Sequence, residues 1–344
     1  MVTDTWQSYS GKAWNNVPYF GRKAQRNVIV SAMSEAVTNS AEIREEGKAF
    51  NLLVCPGYPE MLETLKVLND DRRNTGFIIG EVPMGLSTDQ TTVENYLTDS
   101  VSSGITSEDS LNNSDSYTAV FYPGAATMNA LSGTGSIVVP TSTVMLKTMV
   151  RSDQLSDVWF APAGNARGVL DCLSIGYVNR QNRNSFTSTG VPQGLRDLLY
   201  THSVNPLVYF PQVGLINYGN RTRQRDATAL DRINVARLIA YLRGRLEQIV
   251  RPLVFEPNDK ITRDKAKAIV NQLLNDVATR RGVYDFLVVC DRSNNTNATI
   301  DRNELHIDIA IEPVKSVEFI YIPVRVKATG QIQGGNIAPA LPLA

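Results

Sequence analysis

The sequence predicts an α/β (α+β) protein, a mixed sheet flanked by helices with a second, C-terminal α+β unit, and three features predict it. Between residues 50 and 82 an apolar run, an amphipathic segment and a second apolar run follow one another as in a βαβ unit. After Val235 two segments carry apolar residues at helical spacing, and beyond Gly282 apolar and polar residues alternate with the period of a half-buried strand.

In chain order, residues 1–47 mix Trp6, Trp14, Tyr19 and Phe20 with polar residues and offer one helix, over about 28–46, which reads as part of something larger. Residues 50–55 form a short strand, Pro56-Gly57-Tyr58-Pro59 a turn, 60–70 an amphipathic helix and 76–82 a second strand. Two strands joined through a helix run parallel. Residues 86–116 are dominated by Ser, Thr, Asn and Asp and read as a long surface loop with room for one helix. Strands follow at 117–122 and, after a Gly-rich turn, at 136–140; residues 141–153 suit a helix. Residues 158–168 hold Trp159, Pro162 and Gly164, too many turn formers for regular structure.

The last third is the most periodic. Val235, Leu238, Ile239, Leu242, Leu246, Ile249 and Val250 place one apolar stripe on a long helix that Pro252 stops. A second helix spans about 262–281, with Ile269, Val270, Leu273 and Val277 inward, Asp264 in its first turn and Gly282 just past its end. Strands are expected at 285–291, 304–312 and 317–326; in the middle one Leu305, Ile307, Ile309 and Ile311 alternate with His306, Asp308, Ala310 and Glu312.

A chain of 344 residues has room for about two domains. The divisions expected are an N-terminal segment (1–47), an α/β domain (48–202), a C-terminal domain (203–326) and a tail (327–344). Lys plus Arg equals Asp plus Glu at 34 each, so no overall field attracts nucleic acid or an anionic membrane, and self-association meets little repulsion. Cys55, Cys172 and Cys290 sit apart in apolar runs and read as reduced core thiols, with no zinc-ligand spacing and no disulfide pairing implied. No leader pattern opens the chain and no stretch nears the ~20 apolar residues of a membrane span, so a cytosolic protein, or a particle assembled in the cytosol, is expected.

Catalysis finds little support. A serine hydrolase needs a base beside its nucleophile, and only His202 and His306 supply an imidazole; one follows a helix end and the other lies within an alternating strand. Ser132-Gly133-Thr134-Gly135-Ser136 precedes a strand rather than a helix and lacks a phosphate-binding lysine, so it reads as a turn. Residues 291–301 hold Asn294, Asn295 and Asn297 without EF-hand spacing, a polar turn. Arg232, Arg237, Arg243, Arg245 and Arg251 on the first long helix suggest either an anionic partner or a solvated face paired locally with Asp231 and Glu247.

From Ser203 onward the order of motifs is more specific than any of these. It includes Val204-Asn205-Pro206-Leu207-Val208-Tyr209-Phe210-Pro211, Gly214, Tyr218-Gly219-Asn220-Arg221-Thr222, Leu230-Asp231-Arg232-Ile233-Asn234-Val235 and Arg237-Leu238. Phe255-Glu256-Pro257-Asn258-Asp259, Arg281-Gly282-Val283, Cys290-Asp291, Asn294-Asn295-Thr296, Ile300-Asp301 and Glu318-Phe319-Ile320 follow. The segment resembles the C-terminal domain of contractile phage tail sheath proteins, the myovirus sheath family, to which the sheaths of bacterial contractile injection systems are related. Upstream, residues 54–82, 117–123, 138–140 and 159–164 resemble more loosely the family's α/β domain, called subtilisin-like for its fold rather than its activity. The extended arm and further strands with which sheath proteins open are not found at the start of this sequence.

The resemblance implies a structural subunit without catalytic residues, metal or cofactor. It polymerises as a helical stack of hexameric rings around a tail tube and contracts to drive that tube through the host envelope and deliver the genome. Implied partners are copies of itself, the tube protein, and baseplate and tail terminator proteins, without direct nucleic-acid contact or membrane insertion. The virion tail, and the host cytoplasm during assembly, are the implied locations. Expected interface residues toward the tube or a neighbouring subunit are Arg232, Arg237, Arg243, Arg245, Lys265, Lys267, Arg280 and Arg281. Phe319, Ile320, Tyr321, Ile322, Val324 and Val326 are expected to form an intersubunit strand. The alternatives are the sheath of a bacterial contractile injection system and, from another class, an α/β hydrolase.

Overall fold

In the computed structural model, residues 22–45, 47–98, 111, 113–129, 133, 135–179 and 185–318 are described. The elements in chain order are α1 (Arg22–Asn39), β1 (Leu52–Val54), α2 (Leu62–Asp71), β2 (Phe77–Glu81), α3 (Gln90–Leu97), β3 (Thr118–Tyr122), β4 (Gly124–Met128) and β5 (Ser136–Val139). They continue with α4 (Thr141–Leu155), α5 (Gly164–Arg167), β6 (Ser174–Asn179), β7 (Ser185–Ser188), α6 (Gln193–Thr201), β8 (Val204–Phe210) and β9 (Gly214–Asn217). The last are α7 (Ile233–Val250), α8 (Lys260–Thr279), β10 (Val283–Val289), α9 (Asn297–Asp301) and β11 (Asp308–Pro313).

The expected βαβ unit is present: β1 and β2 are parallel, with Leu53 opposite Ile78, and α2 crosses between them. They belong to a five-stranded sheet of order β1-β2-β3-β8-β9, parallel except for β9. Its central strands are buried on both faces, which is why β2 and β3 read as continuous apolar runs. A second sheet, β5-β4-β6-β7, is antiparallel, and β10 with β11 forms a separate antiparallel pair.

One sheet runs across residues 202 and 203, because β8 pairs with β3 from Val120–Val204 to Tyr122–Pro206 and buries Val204 and Leu207 in the same core as Phe77, Ile78 and Val120. The proline inside β8 is tolerated because Pro206 stands opposite the last residue of β3, one residue before the β8–β9 register begins at Leu207. The single apolar stripe expected on α7 is in fact two. Ile233, Ala236 and Ala240 pack into the first core, whereas Leu238 and Leu242 pack into a second core with Trp159, Val270, Leu274, Val277, Val283 and Val288.

The helix ends show their causes. α8 begins earlier than its periodicity suggests, because Asp259 caps it by accepting from the Thr262 N–H at 2.9 Å. At its other end the left-handed residue is Arg281 (φ 65), not the glycine. Gly282 is required by space: a Cβ there would lie 2.5 Å from Val277 Cγ1 and 3.2 Å from the Trp159 ring. The long helix expected over 28–46 is instead α1 followed by a single 3-10 turn at Glu42–Arg44.

Glu81, at the C-terminal end of β2, is 2% exposed and ties three elements together. It accepts from the N–H (3.1 Å) and Oγ–H (2.6 Å) of Ser142 in the first turn of α4 and from the N–H of Gly57 after β1. Burial pushes its carboxyl above the ordinary value, against the opposing pull of the Ser142 and Gly57 hydrogen bonds and the charge of Arg26. A carboxyl raised in the fold holds its proton more tightly than in the unfolded chain. Its contribution to stability is therefore complete at low pH and lost as pH rises through the folded value. Thermal unfolding of the wild type and of Glu81→Gln between about pH 4 and about pH 7 is expected to show the wild type losing stability relative to the variant as pH rises; a difference independent of pH would contradict this.

Candidate functional site

The motifs after Ser203 converge on one buried junction. Asn205, fully buried in β8, donates from Nδ2 to the carbonyls of Val120 (3.1 Å) and Arg221 (2.8 Å) and accepts from the Arg221 N–H (2.7 Å). Gly219 has no room for a side chain there, since its Cβ would lie 2.5 Å from Asn205 Oδ1. Asn217 holds the same loop by donating to the carbonyls of Pro162 (2.7 Å) and Gly219 (3.0 Å). Asn220 then reaches α7 by donating to Asn234 Oδ1 at 2.9 Å.

From this junction two further contacts hold the chain that leaves β11. Asn234 Nδ2 donates to the Val314 carbonyl (3.1 Å), and Asn220 Nδ2 donates to Ser316 Oγ (2.9 Å). Glu318 accepts from the Tyr200 hydroxyl on α6 and pairs with Arg232 Nε at 2.5 Å, while Arg232 also pairs with Asp231 at 2.8 Å. Burial pushes the Tyr200 hydroxyl up, and its hydrogen bond to Glu318 adds to the shift. Beside this clasp lies a cleft of about 890 Å³, lined among others by Trp159, Arg196, Tyr218, Arg281 and Val317.

β10 and β11 form a sheet of only two strands, in register from Asp285–Glu312 to Val289–Asp308, and among the described residues neither has a second strand partner. One face packs on α8 through Val283 and Val288, while Tyr284 and Leu287 remain exposed at 68% and 62%. Unpaired strand edges of this kind accept further strands. Phe255, between α7 and α8, is wholly exposed and held at φ 73.

The expected interface residues divide. Arg237 is 3% exposed and pairs with Asp153 at 2.6 Å within the subunit. Arg232 is likewise engaged by Asp231 and Glu318. Arg280 pairs with Asp157 (2.5 Å) and Asp276 (2.8 Å) and lies over the Trp159 ring, whose Nε1–H donates to the Arg280 carbonyl. Arg243 and Arg245 are both exposed but point to different sides of α7; the first lies over Tyr117 and donates to the Arg73 carbonyl, and the second donates to Gln248. Lys265 is exposed and Lys267 half-buried on α8, whose far end carries Arg281 on the cleft. The expected strand residues Phe319, Ile320, Tyr321, Ile322, Val324 and Val326 lie outside the described residues.

The histidines stand apart from this arrangement. His202 ends α6 and its carbonyl accepts from Arg223, whereas His306 precedes β11, half-exposed, and pairs with Glu304 at 2.9 Å. Among the described residues no three His, Cys, Asp or Glu side chains gather where a metal ion could be held, and no helix is long and apolar enough to cross a membrane. The loop before β11 is fastened by Asn295, which exchanges hydrogen bonds with the His306 backbone at 2.9 and 2.8 Å. Sequence reasoning missed the asparagines as anchors; the only signal was their place in the motifs.

Comparison with known proteins agrees with the resemblance. Residues 225–327 match the family model of the phage tail sheath C-terminal domain. The tail sheath protein of Vibrio phage KVP40 is 38% identical over 169 residues, 49% of this chain and 24% of that protein. That of Enterobacteria phage T4 is 31% identical over 193 residues, 56% of this chain and 28% of that protein. The matched stretch is thus about a quarter of the length of these curated relatives. In fold, the chain is similar to the sheath of an extracellular contractile injection system in its contracted state (TM-score 0.66, 18% identity, 87% of this chain and 75% of that one). It is also similar to the contracted helical sheath of the anti-feeding prophage (TM-score 0.62, 18% identity, 86% of this chain and 73% of that one). Residues 225–327 thus match the phage tail sheath C-terminal domain, and the fold of the chain is similar to that of contractile sheath proteins.

The division among the arginines is measurable. Arg237→Ala strands Asp153 in a largely buried position and is expected to cost about 3–5 kcal/mol. Arg243→Ala, at the surface, is expected to stay within about 0.5 kcal/mol of wild type. Denaturant titration of both variants checks this, and equal effects would overturn it.

Proposed function

We propose that this chain acts as the structural subunit of a contractile phage tail sheath, polymerising as a helical stack of hexameric rings around a tail tube and contracting to drive the tube through the host envelope. The observation that carries the proposal is the two-stranded β10–β11 sheet, whose outer edges have no strand partner among the described residues while the clasp leads the chain from β11 into an apolar, strand-like sequence. A strand from a neighbouring subunit would satisfy the edge, and the segment after Glu318 would do the same for the next subunit. The curated relatives are structural tail sheath proteins, which supports a non-enzymatic role in the virion tail. They also favour a phage tail over the sheath of a bacterial injection device, since the likeness to the latter, at 17–18% identity, is one of fold.

In this reading the 203–326 part faces the tube, and baseplate and tail terminator proteins bound the polymer, which is built in the host cytoplasm. Arg243, Arg245, Lys265 and Lys267 are the surface cations that meet acidic groups on the tube or on a neighbour. Arg280 and Arg281 lie at the opposite end of α8 from these lysines, 15 residues or about 22 Å from Lys265, and would meet a different partner surface.

Two experiments test this. Deletion of residues 319–344 spares the clasp and every described element, so the subunit should still melt cooperatively but no longer form rings, tubes or striated sheaths in electron micrographs. Loss of cooperative melting would assign the strand to the subunit's own core, and normal sheaths would show that it connects nothing. Charge reversal of Arg243, Arg245, Lys265 and Lys267 together should leave folding intact and weaken assembly, most strongly at low ionic strength where surface charges are unscreened. Unchanged assembly at all salt concentrations would make these four ordinary solvated charges.

A further inference from the structure

We propose that the cationic cleft between α6 and the chain leaving β11 is the docking site for the outer face of the β10–β11 pair of a second copy. The inference rests on the self-assembly reading above and names the partner surface for Arg281.

Arg167, Arg196, Arg281 and Lys315 line this cleft, against the carboxylates of Asp197 and Glu318. Glu318 is already taken by Arg232. Arg167 donates to the Ala161 carbonyl at 3.2 Å and lies over the Phe160 ring, and Arg196 lies over the Phe210 ring, contacts that orient a guanidinium without neutralising it. Arg281 and Lys315 are exposed, and among the described residues their side chains have no hydrogen bond or ion pair. On the same cleft Tyr218 and Val317 are 53% and 79% exposed, so it offers apolar surface together with positive charge.

The outer face of β10–β11 has the opposite character. Strand alternation puts Asp285, Leu287 and Val289 of β10 on the side away from α8, opposite Glu312, Ala310 and Asp308 of β11. None of these residues is a cation. Asp285 and Glu312 stand directly across from each other as like charges, an arrangement that weakens a strand pair, and among the described residues neither has an ion pair. Asp308, at the other end, accepts from the Asn294 amide at 2.8 Å. Leu287, 62% exposed, lies opposite Ala310 between these acidic ends.

The face thus lacks cations where the cleft has cations without acids. Docking would bury Leu287 against Tyr218 and Val317 inside a rim of opposite charges, the build of a specific protein–protein contact. Because cleft and face are different patches of one chain, the contact is heterologous, and each copy keeps its second patch for the next. It uses the face of the strand pair and leaves the edges free for a further strand.

The test reverses charge on each side of the full chain: Arg281→Asp with Lys315→Glu in the cleft, and Asp285→Lys with Glu312→Lys on the face. All four side chains are exposed, so the thermal melt should stay cooperative. Sedimentation and electron microscopy then give the lowest concentration at which polymer forms. Each reversed chain alone should need about tenfold more protein than wild type, because like charges are brought together across the contact. A chain carrying both reversals, and a one-to-one mixture of the two reversed chains, should return toward the wild-type value, since every cleft again meets a face of opposite sign. The proposal fails if either reversal leaves the concentration unchanged. It fails equally if both impair assembly and neither the combined chain nor the mixture recovers, because the cleft would then serve another protein or another part of its own chain. Should a reversed pair lose its cooperative melt, Lys315→Glu and Glu312→Lys alone, combined and mixed, decide in the same way. A wild-type chain that forms no polymer under any condition would instead overturn the sheath reading itself.

Discussion

The structure depends on a chain of buried amides running from the middle of the main sheet to the segment that leaves it. Asn205 lies in a strand with no solvent access, so its amide must find all its partners within the fold; the Arg221 backbone and the Val120 carbonyl supply them. That requirement fixes the loop after β9, which sets Asn220 against Asn234, and so fixes where α7 begins. An apolar residue in place of Asn205 would take this partner from the Arg221 N–H and carbonyl of the loop, and a buried group left unpaired costs about 1–3 kcal/mol. The motifs that resemble sheath proteins are therefore first of all the hydrogen-bonding rules of one junction.

Because α7 starts at this junction, it can serve two cores. Its opposite faces bury Ile233, Ala236 and Ala240 on one side and Leu238 and Leu242 on the other. Arg237 closes the seam by pairing with Asp153 at the end of α4. Trp159 adds a bond from the first half of the chain to the corner of α8 and β10, where Gly282 leaves room for its ring. α7 joins the two cores through its own buried faces.

What the sequence disclosed follows from how locally each feature is encoded. The βαβ unit, α4, α7, α8 and β10 were legible because their burial is periodic along the chain and their ends carry Pro or Gly. β4, β6 and β7 were not: Gly-Ala-Ala-Thr-Met and Ser-Phe-Thr-Ser have neither a clear alternation nor an apolar run, and their pairing is with distant segments. β8 was recognised only as a motif, since a proline argues against a central strand until its position at the end of β3 is known. Among the candidate interface residues, charge alone could not separate Arg237 from Arg243. Both occupy one helix, six residues apart, and what separates them is the buried position of Arg237 beside Asp153 at the end of α4.

For the sheath role proposed above, the open edges of the β10–β11 pair among the described residues are the useful feature. Subunits that change their mutual arrangement without coming apart must be joined by contacts that survive rotation, and side-chain packing between rigid surfaces does not, because it is specific to one relative orientation. Backbone hydrogen bonds between strands survive, provided that the chain between strand and body can bend. β10 and β11 meet the first condition: two strands alone are marginal, and here one face is stabilised on α8 while the edges stay open among the described residues. A neutral chain with exposed Tyr284 and Leu287 meets no charge barrier to such contact.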